Sequence, residues 1–574
     1  MKRNHPDIIK RTGIFLLCCA LCLCSCASQE LISGPDRSVL PASLQELSFE
    51  EHLDISVGYW DIDAMVKSTR PDGMTRYIEE LFNITLHPMS VTWANYKERY
   101  QFLSFTNSLP DMFATITLSS TDNNDSATYS DLIRSDSIRS LPEDMSAFPV
   151  LKKMLEDAPS AQYTDGRYYA IPRISYMDPI LGSMDAALLV RRDWMNALGY
   201  EDPQSFEEFA QMVAAFAIED PDGNGLDDTI GYNVNNRIAL GKWVILGIAP
   251  ECNVYSWVEE DGRFVPSWTT DAFKDVVSAY RYLYETGGLD PEFYSKSPNT
   301  IREDFAAGRL GAMEYKSFPM SIMEVKEIWD SLNDKPFEEC VDVLPIFPAP
   351  DGIRYSNSSN IFWSETYISS AVDDAKMERI LALFEFLMSE EGQNFCHYGI
   401  EGEDYIRRED GSYKCLLNLE GEDGTSISLS TALAQKYPSS TLFANLATWD
   451  VCDWNSLDVN EMNSLLYGEY CTELGYKSAV WFRDNTVQLE RPYDFLNFPK
   501  ESTDQFSTNR AFEAFVNCII GRQDAVAMWE DVLEEMRENG LEEYIDRQNE
   551  RYWEYLGLSA TAYEYHSGQY HVLQ

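Results

Sequence analysis

The chain has 574 residues, 94 acidic and 45 basic, for a formal net charge of −49. A surface that negative repels nucleic acid and anionic headgroups, so neither is an expected partner. With 44% hydrophobic and 13% aromatic residues it is no disordered polyelectrolyte, and its length suits two or three domains' worth of core.

The first 25 residues read as an export signal. Lys2, Arg3, Lys10 and Arg11 precede an apolar run from Ile14 to Leu23 that is too short to span a membrane. Leu23-Cys24-Ser25-Cys26 follows and resembles a bacterial lipobox, with a small residue directly before the cysteine. Lipidation of Cys26 is therefore expected, with a two-signal lipid anchor as the protein's only membrane contact and the body facing outside the cell membrane. An ordinary cleaved signal or an uncleaved anchor is the alternative. Without residues 1–25, which hold four basic residues and Asp7, the balance is 41 basic against 93 acidic, a net charge of −52.

Residues 26–46, rich in Ser, Gly and Pro, read as a flexible tether. "LSFEEHLDISVGYW" alternates apolar residues at Leu53, Ile55 and Val57, the pattern of a first strand. "DGMTRYIEELFNITLHPMSV" predicts a helix and a second strand. "YKERYQFLSFTNSLPDMFATIT" predicts a helix, a Pro-Asp turn and a third strand. A β-α-β-α-β opening is the mark of a parallel α/β sheet. Helical spacing recurs in "SFEEFAQMVAAFAIED", "TDAFKDVVSAYRYLYETGG", "KMERILALFEFLMSEEGQNF" and "RAFEAFVNCIIGRQDAVAMWEDVLEEMREN". No repeat of 20–50 residues is visible, which excludes a solenoid or propeller.

After the first of those helices comes "EDPDGNGLDDTIGY". Asp220, Asp222, Asn224, the carbonyl of Leu226 and Asp228 place oxygen donors at alternate positions, as a hard cation such as calcium requires. Gly223 and Gly225 allow the tight turn between them. An EF-hand closes with a bidentate Glu at position twelve, where this chain has Gly231, so the loop is not an EF-hand. A metal-free Asx-rich turn is the plain alternative.

Catalytic signals are missing. None of the six histidines stands in a metal-ligand spacing, and GxSxG is absent. A glycosidase needs only two carboxylates, so residue count leaves that class open without a motif to support it. Of twelve cysteines, five lie in the signal and lipobox. The other seven (Cys252, Cys340, Cys396, Cys415, Cys452, Cys471 and Cys518) are scattered and read mostly as buried thiols.

Several stretches together carry a resemblance: "LPDMF" (109–113), "GRYYAIPR" (166–173), "LLVRRDWMNALGYEDPQSFEEF" (188–209), the acidic loop, "FAAGRLGAMEY" (305–315) and "LFEFLMSEEGQNFCHYGIEGEDY" (383–405). With the lipobox, and in this order, they resemble extracellular solute-binding proteins of family 1, the carbohydrate-type lipoprotein receptors of ABC importers. The resemblance implies a type II periplasmic-binding-protein-like α/β fold: two lobes of mainly parallel sheet, flanked by helices and hinged around a ligand cleft. Following the larger oligosaccharide-binding relatives, lobe one takes 47–172 and 366–450, and lobe two takes 176–362 and 451–574. It also implies no catalysis, an oligosaccharide ligand, importer permease subunits as partners, and a monomer. The acidic loop resembles the calcium loop of alginate-oligosaccharide-binding relatives, which sits after a helix in the second lobe, and a calcium bound here is expected to be structural. That pattern closes with an acidic pair; here Thr229 holds the second place and Asp227 offers a carboxylate one residue early.

Sugars stack their C–H faces on aromatic rings and pair their hydroxyls with polar groups. The ligand candidates are Tyr59, Trp60 and Asp61 after the first strand, with Tyr176, Trp243, Trp363 and Trp449; Trp257 and Trp454 lie in similar segments. For any one of them, core burial is the competing role. Trp194 and Tyr200 read as packing. The net charge points to a neutral sugar over a polyanion such as alginate, unless a local basic patch outweighs it. A peptide or other solute, or presentation of a ligand to a sensor kinase, is the alternative function.

Overall fold

A computed structural model describes residues 37–555, apart from 119–122, 164, 235–241, 253–255, 358–360, 422–423, 450–453 and 490–504. Cys26, the export signal and Cys452 lie outside the described residues. The end of the expected tether is folded: Arg37–Val39 and Ala42–Gln45 are short helices, and Leu40 and Leu44 are buried in the first core.

The opening segments form as their periodicity demands. Strand β1 (Leu53–Trp60) pairs in parallel with β2 (Ile84–Val91) and with β3 (Met112–Thr115). The helix Gly73–Phe82 between β1 and β2 starts where the Asp72 side chain accepts from the Thr75 amide. It ends at Asn83, whose left-handed φ of 49° suits the short amide side chain. Met74, Ile78, Leu81 and Phe82 are its buried stripe.

Two more strands complete this sheet. β4 (Ala170–Ile174) and the much later β9 (Phe362–Ile368) pair antiparallel, and β9 is also antiparallel to β3, giving the order β2-β1-β3-β9-β4. The second sheet holds β5 (Ala187–Arg191), β6 (Ile230–Asn233), β7 (Leu310–Tyr315) and β8 (Val341–Val343), in the order β8-β5-β7-β6. Only β6 and β7 are parallel there; β5 opposes both its neighbours. The chain thus crosses between sheets on antiparallel strands, which is why each sheet is mixed.

Those crossings fix how the sheets face each other. β4 runs parallel to β1, so the chain leaves sheet one at the C-terminal edge of its parallel strands and enters β5 at the matching edge of sheet two. After β8 it returns from that edge of sheet two to the start of β9. The carboxyl edges of both sheets therefore border the two connections, the place where α/β folds of this kind bind ligands.

Each sheet has its own apolar core, one built on Ile55, Phe113 and Leu383, the other on Val190, Phe209, Trp243 and Phe515. The helix Glu469–Asn485 touches more than one core, through Cys471 and Leu474 on one side and Ala479 and Phe482 on the other. Two long helical stretches of the sequence each divide: Asp374–Leu387 and Glu390–Tyr398 part at Ser389, and Thr508–Ile520 and Ala525–Glu538 part near Gly521. Five of the six described cysteines are buried. No helix among the described residues is long and apolar enough to cross a membrane.

Candidate ligand site and metal loop

Four strand ends of sheet one bring aromatic rings together at its carboxyl edge. Tyr59 and Trp60 end β1, Trp93 and Tyr96 follow β2, Trp363 opens β9, and Trp449 is held by its amide donating to the Ile174 carbonyl at the end of β4 (2.9 Å). Trp60 meets Trp93 at 5.4 Å and Trp363 at 6.3 Å between ring centroids. Trp93 stacks on Trp363 at 5.8 Å, and Trp363 meets Trp449 at 5.3 Å. Tyr59 and Trp60 are buried, Trp363 and Trp449 half-buried, and Trp93 exposed. A continuous aromatic surface with one wet side results.

At its centre is Arg173, which is 3% exposed. Its guanidinium carbon lies 4.3 Å from the Trp449 ring, 5.1 Å from Trp363, 5.3 Å from Trp60 and 6.0 Å from Tyr59. Nη1 donates to the Tyr59 hydroxyl (2.7 Å) and the Asn445 carbonyl (2.8 Å), and Nε to the Trp363 carbonyl (3.4 Å). Burial draws its pKa below the ordinary arginine value. Below the ring cluster Glu365 is fully buried and accepts from the amides of Thr117 (2.7 Å) and Leu118 (3.2 Å); burial pushes its pKa up to about 7.

The other expected ligand residues are dispersed. Asp61 is exposed beside the ring cluster, in a left-handed turn with φ 55°. Tyr176 sits on the first crossing, stacked on Phe318 at 5.9 Å, with its hydroxyl on Asp185; Lys316 pairs with the same carboxylate at 3.1 Å. Trp243 has no exposed surface and packs on Phe209 (5.2 Å) and Phe347 (5.3 Å), so as placed it is a core residue of lobe two with no face for a ligand. Trp257 lies against Tyr544, and Trp454 donates to Asp178 at 3.1 Å. Trp194 is core, as its motif suggested. The sequence reading passed over Trp93, Tyr96 and Arg173. Trp93 follows a predicted strand as Tyr59 and Trp60 do, and an arginine inside the apolar run "YYAIPRISY" is itself a signal.

The acidic loop joins the helix Phe206–Ile218 to β6. Its left-handed turns at Asp220, Gly223 and Gly225 fold three carboxylates around Asn224. The Asn224 amide donates to Asp220 and Asp222 (3.1 Å each), and its side-chain nitrogen to Asp222 (2.8 Å) and Asp228 (3.2 Å). Partial burial, then Asp220 and Asp228, hold the Asp222 carboxyl above its usual range. Leu226 is exposed and Thr229 half-buried. The donor set is all oxygen, as a hard cation needs, although as placed no three His, Cys, Asp or Glu side chains among the described residues form a metal-ligand group. Gly231 explains why no EF-hand forms: a Cβ there would meet the Val213 carbonyl oxygen at 2.0 Å, so a twelfth-position Glu cannot fit.

No family model matches the chain. Over 344 residues it is 24% identical to the polygalacturonan/rhamnogalacturonan-binding protein YtcQ of Bacillus subtilis, covering 59% of this chain and 65% of that one. Over 223 residues it is 25% identical to the fructooligosaccharide ABC transporter substrate-binding protein FusA of Streptococcus pneumoniae, covering 37% and 39%. Lipoprotein LipO of B. subtilis matches at 27% over 228 residues, 38% of this chain and 44% of that one. The chain thus spans less than two thirds of the length of these relatives. Among solved structures, FusA with kestose superposes with a TM-score of 0.60 at 15% identity, over 88% of this chain and 100% of that one. The alginate-binding protein AlgQ2 without calcium superposes at 0.58 and 13%, over 88% and 98%. The fold is that of the periplasmic-binding-protein-like solute-binding proteins; YtcQ, FusA and AlgQ2 are named for sugar binding, and FusA for an ABC transporter, in line with the resemblance to family 1.

Proposed function

We propose that the protein is a receptor that captures an oligosaccharide and passes it to the permease subunits of an ABC importer without chemical change. The ring cluster of Trp60, Trp93, Trp363 and Trp449 at a sheet's carboxyl edge carries this reading, because flat sugar faces need such a surface. Relatives named for polygalacturonan and fructooligosaccharide binding agree with it. Tyr59, Asp61 and Tyr176 are the nearest polar and aromatic candidates for further contacts. Lobe one is 47–172 with 366–450, and lobe two is 176–362 with 451–574. Cys26 carries the lipid anchor, the body faces outward, and the protein works as a monomer.

Calcium in the loop of Asp220, Asp222, Asn224, Leu226 and Asp228 is the second part of the proposal. Asp227 or Thr229 completes the set. Its support is the convergence of three carboxylates on one turn, together with calcium and an EF-hand in the descriptions of AlgQ2 and FusA. The ion would tie a helix end to β6, away from the rings.

Calorimetric titration of the purified protein with an oligosaccharide panel tests the receptor reading, with reducing ends assayed in parallel. Saturable binding of a glycan that stays intact is expected. Release of reducing ends from the bound glycan would overturn it.

A further inference from the structure

The guanidinium of Arg173 is bound on only part of its donor fork. Nε and Nη1 donate to a carbonyl, a hydroxyl and a second carbonyl, all neutral, while Nη2 has no hydrogen-bond partner. Trp60 Nε1, on one of the surrounding rings, also lacks one. Two buried donors left open in one aromatic enclosure cost stability, since each has lost water and gained no acceptor.

Other buried cations of the chain are treated differently. Arg191 pairs with Asp193 at 2.7 Å, although its Nη1 is also left without a partner, and the half-buried Lys296 pairs with Asp290 and Asp304, both at 2.8 Å. Arg379 has no carboxylate, but both of its terminal nitrogens donate to main-chain carbonyls, those of Glu51, Phe82 and Asn83. Arg173 has neither arrangement. Its nearest acid in electrostatic terms, Glu365, accepts from Thr117, Leu118 and Tyr367 on Oε1 and makes no hydrogen bond to Arg173, although its buried Oε2 has no partner. In a chain with 94 acidic residues, a buried guanidinium with neither a carboxylate partner nor acceptors on both terminal nitrogens is an unmet demand for an anion.

We propose that Arg173 supplies a specificity contact for an acidic sugar, with Nη2 kept open for the carboxylate of a uronate residue in the bound glycan. This inference rests on the receptor reading above and names the ligand class for the same site. It replaces the neutral sugar expected from net charge, because one buried cation outweighs a diffuse surface field at hydrogen-bond range. Trp363 and Trp449, half-buried, screen the guanidinium from solvent with side chains rather than backbone, so they can turn aside as the ligand enters. A site that commits a buried donor to one substrate group rejects analogues lacking that group far more strongly than an apolar pocket does.

The test compares trigalacturonate, its methyl ester and a neutral galactotriose by calorimetry, on the parent and on Arg173→Gln and Arg173→Lys. The parent is expected to bind the free acid at least tenfold more tightly than the ester. Arg173→Gln should lose that preference, the acid losing more affinity than the ester, and Arg173→Lys should retain part of it. Equal affinity of the parent for acid and ester, or binding of the neutral sugar alone, overturns the inference and leaves the receptor reading standing. Loss of acid and ester binding in equal measure in Arg173→Gln overturns it as well, making Arg173 only a scaffold. A parent that binds none of these sugars, nor any in a wider glycan panel, overturns the receptor reading itself.

Discussion

Both lobes gather aromatic rings around a strand, yet the two clusters are built for different ends. In lobe two, Trp243, Phe209, Phe347 and Tyr232 enclose one another with no exposed surface. At the edge of sheet one, Trp60, Trp363 and Trp449 enclose a cation, and Trp93 stands 53% exposed at the edge of the cluster. Ring count does not separate the two. What does is where the rings sit on the sheet: past the strand ends a ring meets loops and solvent, and beside a helix it meets core.

Truncating the lobe-two cluster gives the largest contrast. Trp243→Ala removes a fully buried indole and should cost about 3–5 kcal/mol of stability, read by urea denaturation. The folded fraction should keep the parent's sugar affinity. A variant that loses affinity at full stability would return Trp243 to the ligand site.

Calcium removal sharpens the same contrast from a second direction, because the acidic loop leads into β6 of sheet two and the rings border sheet one. An ion bound only by the folded state stabilises it by about 2.7 kcal/mol at a hundredfold excess over its Kd. Chelation should therefore lower the Tm, and Asp222→Ala should lower it similarly and abolish the chelator effect, with sugar binding unchanged. Equal melting temperatures in calcium and in chelator would remove the ion from the account.

The smallest effect concerns pH, where the lobes should match. Each holds a buried glutamate whose pKa burial pushes up to about 7, Glu365 in sheet one and Glu314 in sheet two. Unfolded, these carboxyls titrate near 4.5. Between those values the folded state holds more protons than the unfolded one, so stability falls as pH rises from about 4.5 to about 7. Each group should contribute on the order of 1–3 kcal/mol to that fall, and Glu314→Gln or Glu365→Gln should flatten it when unfolding is measured at pH 5 and pH 8. A pH profile indifferent to both substitutions would show that these carboxyls stay ionised in the fold.

Part of sheet one was legible in the sequence because β1 alternates at Leu53, Ile55 and Val57 and the helix Gly73–Phe82 carries a buried stripe at helical spacing. Tyr59, Trp60 and Trp363 could be placed near a sheet edge from their positions after or before apolar runs. Trp243 misled, since a short apolar stretch such as "KWVIL" reads alike for a buried helix and for a cleft loop. Arg173 was hidden for another reason. Its meaning depends on Trp449 and Asn445, more than 270 residues away, and only folding brings them together. The antiparallel crossings β4–β9 and β5–β7 were likewise invisible, because strand direction is set by which sheet the chain enters next.

The most direct measurement of the central claim is the sugar affinity of Trp449→Ala and Trp363→Ala by calorimetry, against the parent and beside the Tm of each. Both indoles are half-buried and lie against Arg173 and each other. Stacking contacts of this kind are worth about 1–3 kcal/mol each, so the account predicts a loss of about tenfold or more in affinity for either variant, with a smaller loss of stability than Trp243→Ala shows. Parent-like affinity in both variants would contradict it and move the ligand away from the ring cluster.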